Sequence, residues 1–177
     1  SAFADKVFAI DQDSPRFKVN ADVTPESMYA SGWKCAGTAV PVFSLRTEDS
    51  FGIGDFHDLK KLVDWVVATG QRVIQLLPVN DTTMTGTWVD TYPYSANSIY
   101  ALHPQFVYLP DAGVRRDSSY KALKAELEAL PELDYERVNA EKDRLMRKAF
   151  SATWAKVSKS PEYKEFVKVN ANWLDAY

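Results

Sequence analysis

Hydrophobic positions become regular in the first half of the chain, where two short apolar runs flank a longer periodic segment. Residues 38–45 and 71–79 are rich in β-branched and aromatic side chains and have the length of buried strands. Between them, apolar residues recur at helical spacing: Leu59, Leu62, Val63, Val66 and Val67. The pattern predicts a strand, a helix and a second strand.

Capping residues mark both ends of this predicted helix. Asp55 suits the N-cap, and Asp58 places a negative charge in the first turn, near the positive end of the helix. Gly70 suits the position just after the last turn. Because a helix connects the strands, we expect them to be parallel, with a right-handed crossover. The loops after the two strands, residues 46–54 and 80–98, are then the expected places for chemistry.

The N-terminal segment, residues 1–32, is weakly patterned and interrupted by proline and glycine. It predicts a linker or arm with one short strand around Val7–Ile10. The alternative is that this strand is a plain N-terminal strand of the same domain.

The second half of the chain predicts helices. Apolar residues recur at helical spacing in 118–130 and 135–158, and Pro161 opens a last helix. The apolar stripe of that helix stops at Tyr177 without a cap, so we expect the chain to be a piece of a longer one.

Composition and charge narrow the function classes. Lys and Arg number 21 against 24 Asp and Glu, a net charge of −3 without a basic block, which argues against nucleic acid as a partner. No apolar run approaches the roughly 18–20 residues that span a membrane. The single cysteine, Cys35, rules out an intrachain disulfide and indicates a reducing, cytoplasmic compartment.

Several common motifs are incomplete in this chain. Gly52-Ile53-Gly54 begins like a dinucleotide fingerprint, but His57 stands where the third glycine belongs. His57 and His103 lack partners at a metal-ligand spacing and are expected to be structural. We therefore predict neither a metal site nor a cofactor.

The loop over residues 80–100 is the most informative region. Its aromatic residues Trp88, Tyr92, Tyr94 and Tyr100 alternate with polar ones that include Asp81 and Asp90. Aromatic rings can pack on the C–H faces of a sugar while carboxylates and amides bind its hydroxyl groups, so the loop can form a carbohydrate subsite. Alternatively, the aromatic residues cap the local core. The residues by themselves favour the two alternatives equally.

A resemblance to a known family joins these features. The segments Gly37–Arg46, Phe51–Asp55, Gln75–Pro78, Tyr92–Ser95, Ala101–Pro104 and Asn172–Tyr177 resemble, in this order, the amylomaltases, which are the 4-alpha-glucanotransferases of glycoside hydrolase family 77. The likeness runs from about Trp33 to the last residue. The forms at 80–83 and 92–95 are similar to the longer enzymes of the plant-cytosol type and their bacterial relatives.

The resemblance implies a (β/α)8 TIM barrel, of which the chain would hold an incomplete N-terminal portion, because a whole barrel takes roughly 250 residues. The expected parts are a linker or N-terminal arm at 1–32, the first βαβ unit with the aromatic substrate loop at 33–110, and a helical subdomain at 111–177. Exposed strand edges and apolar surface then predict self-association.

The implied activity is a retaining transfer of α-1,4-glucan segments between maltodextrins, with starch or glycogen as related substrates and no cofactor. Such chemistry uses two carboxyl groups about 5–5.5 Å apart. No segment here matches those of the family, so no catalytic residue is assigned and the chain alone is expected to be inactive. Tyr94 corresponds to a residue that packs on the sugar, and Trp88 and Asp90 are weaker candidates. The alternative is a non-catalytic α/β module that binds glucan or a protein partner.

Overall fold

The computed structural model describes residues 8–9 and 35–177, which form a mixed α/β structure. The strands in this part of the chain are β1 (Phe8–Ala9), β2 (Gly37–Val40) and β3 (Val73–Leu76). The helices are α1 (Phe56–Ala68), α2 (Ser118–Glu128), α3 (Tyr135–Val157) and α4 (Pro161–Leu174). Short 3-10 turns lie at Val42–Ser44, Trp88–Thr91 and Pro104–Phe106.

The predicted strand, helix and strand are present. Strands β2 and β3 pair in parallel, from Gly37 opposite Val73 to Val40 opposite Leu76, and α1 connects them. Both strands are shorter than the apolar runs, which had predicted strands over 38–45 and 71–79. Pro41 follows β2 directly and has no N–H for a further ladder bond, and the chain then enters a 3-10 turn.

The short strand predicted around Val7–Ile10 is observed as β1. It pairs antiparallel with β3, with Phe8 opposite Ile74, and gives the sheet order β1–β3–β2. It is therefore a strand of the same sheet as β2 and β3. The rest of the predicted linker 1–32 lies outside the described residues.

The start of α1 confirms the predicted cap. The Asp55 carboxylate accepts hydrogen bonds from the N–H groups of His57 (2.8 Å) and Asp58 (3.3 Å). The Asp58 carboxylate accepts one from the Asp55 N–H (3.0 Å), which completes a capping box. Gly70 follows the helix with a φ of 73°, a conformation that glycine adopts without strain.

The main apolar core lies between the loop after β2 and the second-half helices. Phe51 and Ile53 are fully buried there against Leu127 of α2 and Val138 of α3. Gly52 turns the chain between them, with a φ of 73°. This loop, residues 46–54, was expected to carry chemistry, but its residues 50–54 are buried because two apolar side chains anchor it under the helices.

A buried polar network ties α3 to the start of α1. Lys142 is 1% exposed, and its Nζ donates to the Gln105 carbonyl (2.5 Å) and lies 4.0 Å from Asp55 Oδ2. Burial lowers the pKa of Lys142 to about 8, against the opposing effect of Asp55 and Asp58. Burial also raises the pKa of Asp55, which Lys142 opposes. Removing one partner of such a pair typically costs about 3–5 kcal/mol, because the other charge stays buried.

The helices within residues 35–177 do not combine the length and apolar character that crossing a membrane requires.

Gly52→Ala should destabilise the protein far more than Gly70→Ala. Both glycines have a φ of 73°, so an added Cβ costs each about 1–2 kcal/mol of backbone strain. At Gly52 the Cβ would also lie 2.8 Å from Val138 Cγ2 and 2.9 Å from Leu127 Cβ, whereas nothing lies within 4 Å at Gly70. We expect a further loss of about 1–3 kcal/mol at Gly52 from overpacking.

Urea unfolding of the two variants and the parent chain measures this difference. Equal losses of unfolding free energy would contradict the close contact between the loop and the helices.

Candidate functional site

The long loop after β3 begins and ends at a short antiparallel contact. Asn80 forms a bridge with Leu102, the Asp81 N–H donates to the Ala101 carbonyl (3.0 Å), and the His103 N–H donates to the Val79 carbonyl (3.0 Å). The intervening residues 82–100, here named the aromatic loop, therefore project as one unit from the carboxyl end of β3.

Asp90 organises the first half of the aromatic loop. It is buried, and its Oδ2 accepts hydrogen bonds from the N–H groups of Met84 (3.1 Å), Thr85 (2.9 Å) and Gly86 (2.7 Å). Burial alone would raise its pKa, but these hydrogen bonds outweigh burial and hold the pKa below its ordinary value. Asp90 was predicted to contact substrate; in the structure its carboxylate binds the backbone of its own loop, and sugar contact stays a prediction.

The aromatic side chains of the loop point to solvent. Trp88 is 70% exposed, Tyr92 59%, Tyr94 50% and Tyr100 54%, so they do not fill the local core. The rings of Tyr92 and Tyr94 lie 5.4 Å apart at 51°, and Tyr100 stacks on Trp173 of α4 at 5.7 Å. These rings are therefore exposed among the described residues, and sugar contact at them stays a prediction.

The first turn of α3 contacts the aromatic loop. Oε1 of Glu136 accepts a hydrogen bond from the backbone N–H of Trp88 (3.1 Å). Beside it, the hydroxyl group of Tyr135 lies 3.1 Å from Nε2 of His103, at the base of the loop. The loop is thus attached to α3 at two neighbouring points.

His103 belongs to a buried polar cluster with Asp81 and Tyr135. Its Nδ1 accepts the N–H of Gln105 (3.2 Å), so the proton of the neutral ring is on Nε2, which faces Tyr135. Burial lowers the pKa of His103 against the opposing charges of Asp81 and Asp90, so the ring is neutral at pH 7. Asp81 Oδ1 lies 3.9 Å from His103 Nε2. The same oxygen accepts hydrogen bonds from the Thr83 N–H (3.0 Å) and the Thr83 hydroxyl (2.7 Å).

Sequence reasoning found the aromatic residues but did not connect His103 and Tyr135 to them. Their separation along the chain, 32 residues, corresponds to no local spacing. The antiparallel contact that closes the loop and the packing of α3 on it bring them together, and neither is visible in a periodic pattern.

The other sequence candidates lie elsewhere. His57 stacks on Tyr108 (4.2 Å between ring centroids) and its Nε2 lies 3.5 Å from Asp49. The Gly52 N–H, which an anion site would use, donates to the carboxylate of Glu128. Within residues 8–9 and 35–177, no group of three or more His, Cys, Asp or Glu side chains is placed to hold a metal ion.

Comparisons with known proteins give a consistent result. The glycoside hydrolase family 77 model, described as 4-alpha-glucanotransferase, matches residues 40–177. A rice protein (Oryza sativa subsp. japonica) named 4-alpha-glucanotransferase DPE2 is 40% identical over 173 residues, which are 95% of this chain and 18% of the rice protein. A 4-alpha-glucanotransferase of Chlamydia muridarum is 32% identical over 94% of this chain and 30% of its own length, and that of Chlamydia pneumoniae is 33% identical over 87% and 30%.

The chain therefore spans less than a third of the length of these curated relatives. The higher identity to the rice protein agrees with the resemblance to the plant-type subgroup.

Asp90→Asn should loosen the first half of the aromatic loop. Asparagine can place its one carbonyl oxygen at the Oδ2 position, but it lacks the negative charge that strengthens the three N–H bonds there, and its NH₂ group faces the Thr85 hydroxyl. We therefore expect faster amide hydrogen exchange at residues 84–86. One hydrogen bond to a charged group contributes about 1.5–3 kcal/mol, so we expect a loss of stability of this order from weakening the three. The exposed Asp111→Asn is the matched control.

The lowered pKa of Asp90 makes the stability of the folded protein depend on pH. Because the folded-state pKa of Asp90 is lowered, its stabilisation is complete above the pKa of an unfolded aspartate and is lost as the pH falls through the lower folded value. Unchanged exchange at residues 84–86 in Asp90→Asn would show that the carboxylate does not hold this turn.

Proposed function

The chain belongs to the 4-alpha-glucanotransferase family, glycoside hydrolase family 77, and from this premise we propose that it is part of an enzyme that transfers α-1,4-glucan segments between maltodextrins. The observation that carries the proposal is the aromatic loop, which holds four exposed rings on a frame of buried hydrogen bonds at the carboxyl end of β3. Strands β2 and β3 with α1 are then the first βαβ unit of a (β/α)8 barrel, within the proposed segment 33–110, and residues 111–177 are its helical subdomain.

The chemistry of the loop suits a glucan. The pyranose ring of glucose has apolar C–H faces that pack on aromatic rings, and tyrosine and tryptophan also offer a polar tip. The tilted pair of Tyr92 and Tyr94 provides two such faces at an angle, and Trp88 provides a third. We propose that Tyr94 and Trp88 contact the sugar, and that Asp90 belongs to the same site as the residue that holds the shape of its turn.

The catalytic carboxyl groups are proposed to come from outside this chain. In a retaining mechanism, one carboxylate attacks the anomeric carbon and a second carboxyl group first donates and then accepts a proton. Asp81 and Asp90 are the buried carboxylates at the aromatic loop among the described residues, and both accept hydrogen bonds from that loop. Burial by itself would raise the pKa of Asp81 and of Asp90, but hydrogen bonds outweigh it and the net pKa of each is lowered. An acid catalyst needs a raised pKa.

A non-catalytic glucan-binding module is the second candidate. The observation that favours it is the combination of exposed rings with carboxylates that are already bonded. Both candidates predict glucan binding to the chain, and they differ in whether a larger protein that contains it turns substrate over.

Tyr94→Ala should weaken maltodextrin binding about tenfold, equivalent to ~1.4 kcal/mol, because a stacking face is lost. Isothermal titration calorimetry of the 177-residue chain with maltoheptaose measures the dissociation constant. Phe166→Ala is the matched control, since Phe166 on α4 is also 50% exposed but lies outside the loop. Equal affinities for the parent and Tyr94→Ala would argue against sugar contact at this residue.

The 177-residue chain alone should not convert maltotriose. Incubation followed by chromatography should return maltotriose unchanged, because the carboxylates at the loop are not free to react. A ladder of longer glucans together with glucose would contradict the assignment of no catalytic residue to this chain.

A further inference from the structure

Buried hydrogen bonds beneath the aromatic loop connect its base to α3. The Gln105 N–H donates to His103 Nδ1 (3.2 Å), which leaves His103 Nε2 to donate to the Tyr135 hydroxyl (3.1 Å). The Thr82 hydroxyl donates to the Asp90 carbonyl (2.6 Å), which lies in the turn that carries Trp88.

The residues that make these hydrogen bonds are all buried. His103 is 2% exposed, Thr82 and Asp90 are 5% exposed, and Gln105 and Tyr135 are 7% exposed. Because the Gln105 N–H occupies His103 Nδ1, the proton on His103 Nε2 faces the Tyr135 hydroxyl. Breaking one of these hydrogen bonds leaves buried polar groups without partners, at about 1–3 kcal/mol each.

Tyr135 is the link contributed by α3. Its hydroxyl is bound to His103 Nε2 at the base of the aromatic loop. Its neighbour Glu136 holds the Trp88 N–H from the same helical turn. The position of the exposed ring of Trp88 relative to the base of the loop therefore depends on one turn of α3.

We propose that Tyr135 and His103 are positioning residues for glucan binding: their buried hydrogen bonds lock the aromatic loop to α3 in the orientation that receives the sugar. This inference rests on the proposed function for its ligand. Neither side chain touches the glucan, since both are buried beneath the loop.

Tyr135→Phe removes the hydroxyl and keeps the ring, which packs edge-on against His103 at 6.3 Å. We expect amide exchange at residues 82–91 to rise about tenfold or more, and maltoheptaose affinity to fall about five- to tenfold. Tyr163→Phe is the matched control, because it removes a tyrosine hydroxyl from α4 and should change neither quantity. His103→Leu removes the same hydrogen bond from the other side and serves if Tyr135→Phe does not fold.

Conservative rescue at His103 separates positioning from plain structure. Glutamine can place an N–H donor near the position of Nε2, whereas leucine cannot. We expect His103→Gln to keep most of the glucan affinity and His103→Leu to lower it about five- to tenfold, as Tyr135→Phe does.

The outcomes are distinguishable from failure of the proposed function. Unchanged exchange at residues 82–91 in Tyr135→Phe overturns the inference whether or not glucan binds. Faster exchange with unchanged glucan affinity also overturns it, because the loop would not need to be locked. If the parent chain binds no maltoheptaose at all, the proposed function fails and the inference fails with it, leaving the exchange result as a statement about the loop alone.

Discussion

The close contact of Gly52 with α2 and α3 is the constraint on which the rest of the structure depends. A side chain at this position would meet Val138 and Leu127, so the loop after β2 reaches the helices only because it has none there. This approach lets Phe51 and Ile53 enter the same apolar core as the helices. The position of α3 relative to the sheet follows from that packing.

The position of α3 then determines the polar interior and the aromatic loop. One turn of the helix presents Tyr135 and Glu136 to the loop, and Lys142, two turns later, reaches Asp55 at the start of α1. Buried charged and hydrogen-bonded groups tolerate little displacement, because each unpaired group costs free energy. The loop with its exposed rings is therefore held by the same helix that closes the core.

Local features were predictable where a local physical signal exists. The capping box of α1 at Asp55 and Asp58 could be predicted, and so could the parallel pairing of β2 with β3. Both depend on caps and periodicity, which act over a few residues. The aromatic composition of the loop and the family resemblance were also readable. The strand ends were not: the apolar runs continue beyond Val40 and Leu76, because apolar residues there pack in turns as well as in strands.

The amino-acid sequence alone determined the βαβ unit, the helices of the second half, and the family, since these rest on periodicity, capping and ordered motifs. Tertiary structure decided which loop is buried and which one displays its rings, and it joined His103 to Tyr135 across 32 residues. The physical reason is that burial and hydrogen-bond partnership are properties of packed surfaces. A carboxylate such as Asp90 reads as a ligand in the sequence, and only the surrounding N–H groups show that it holds its own loop.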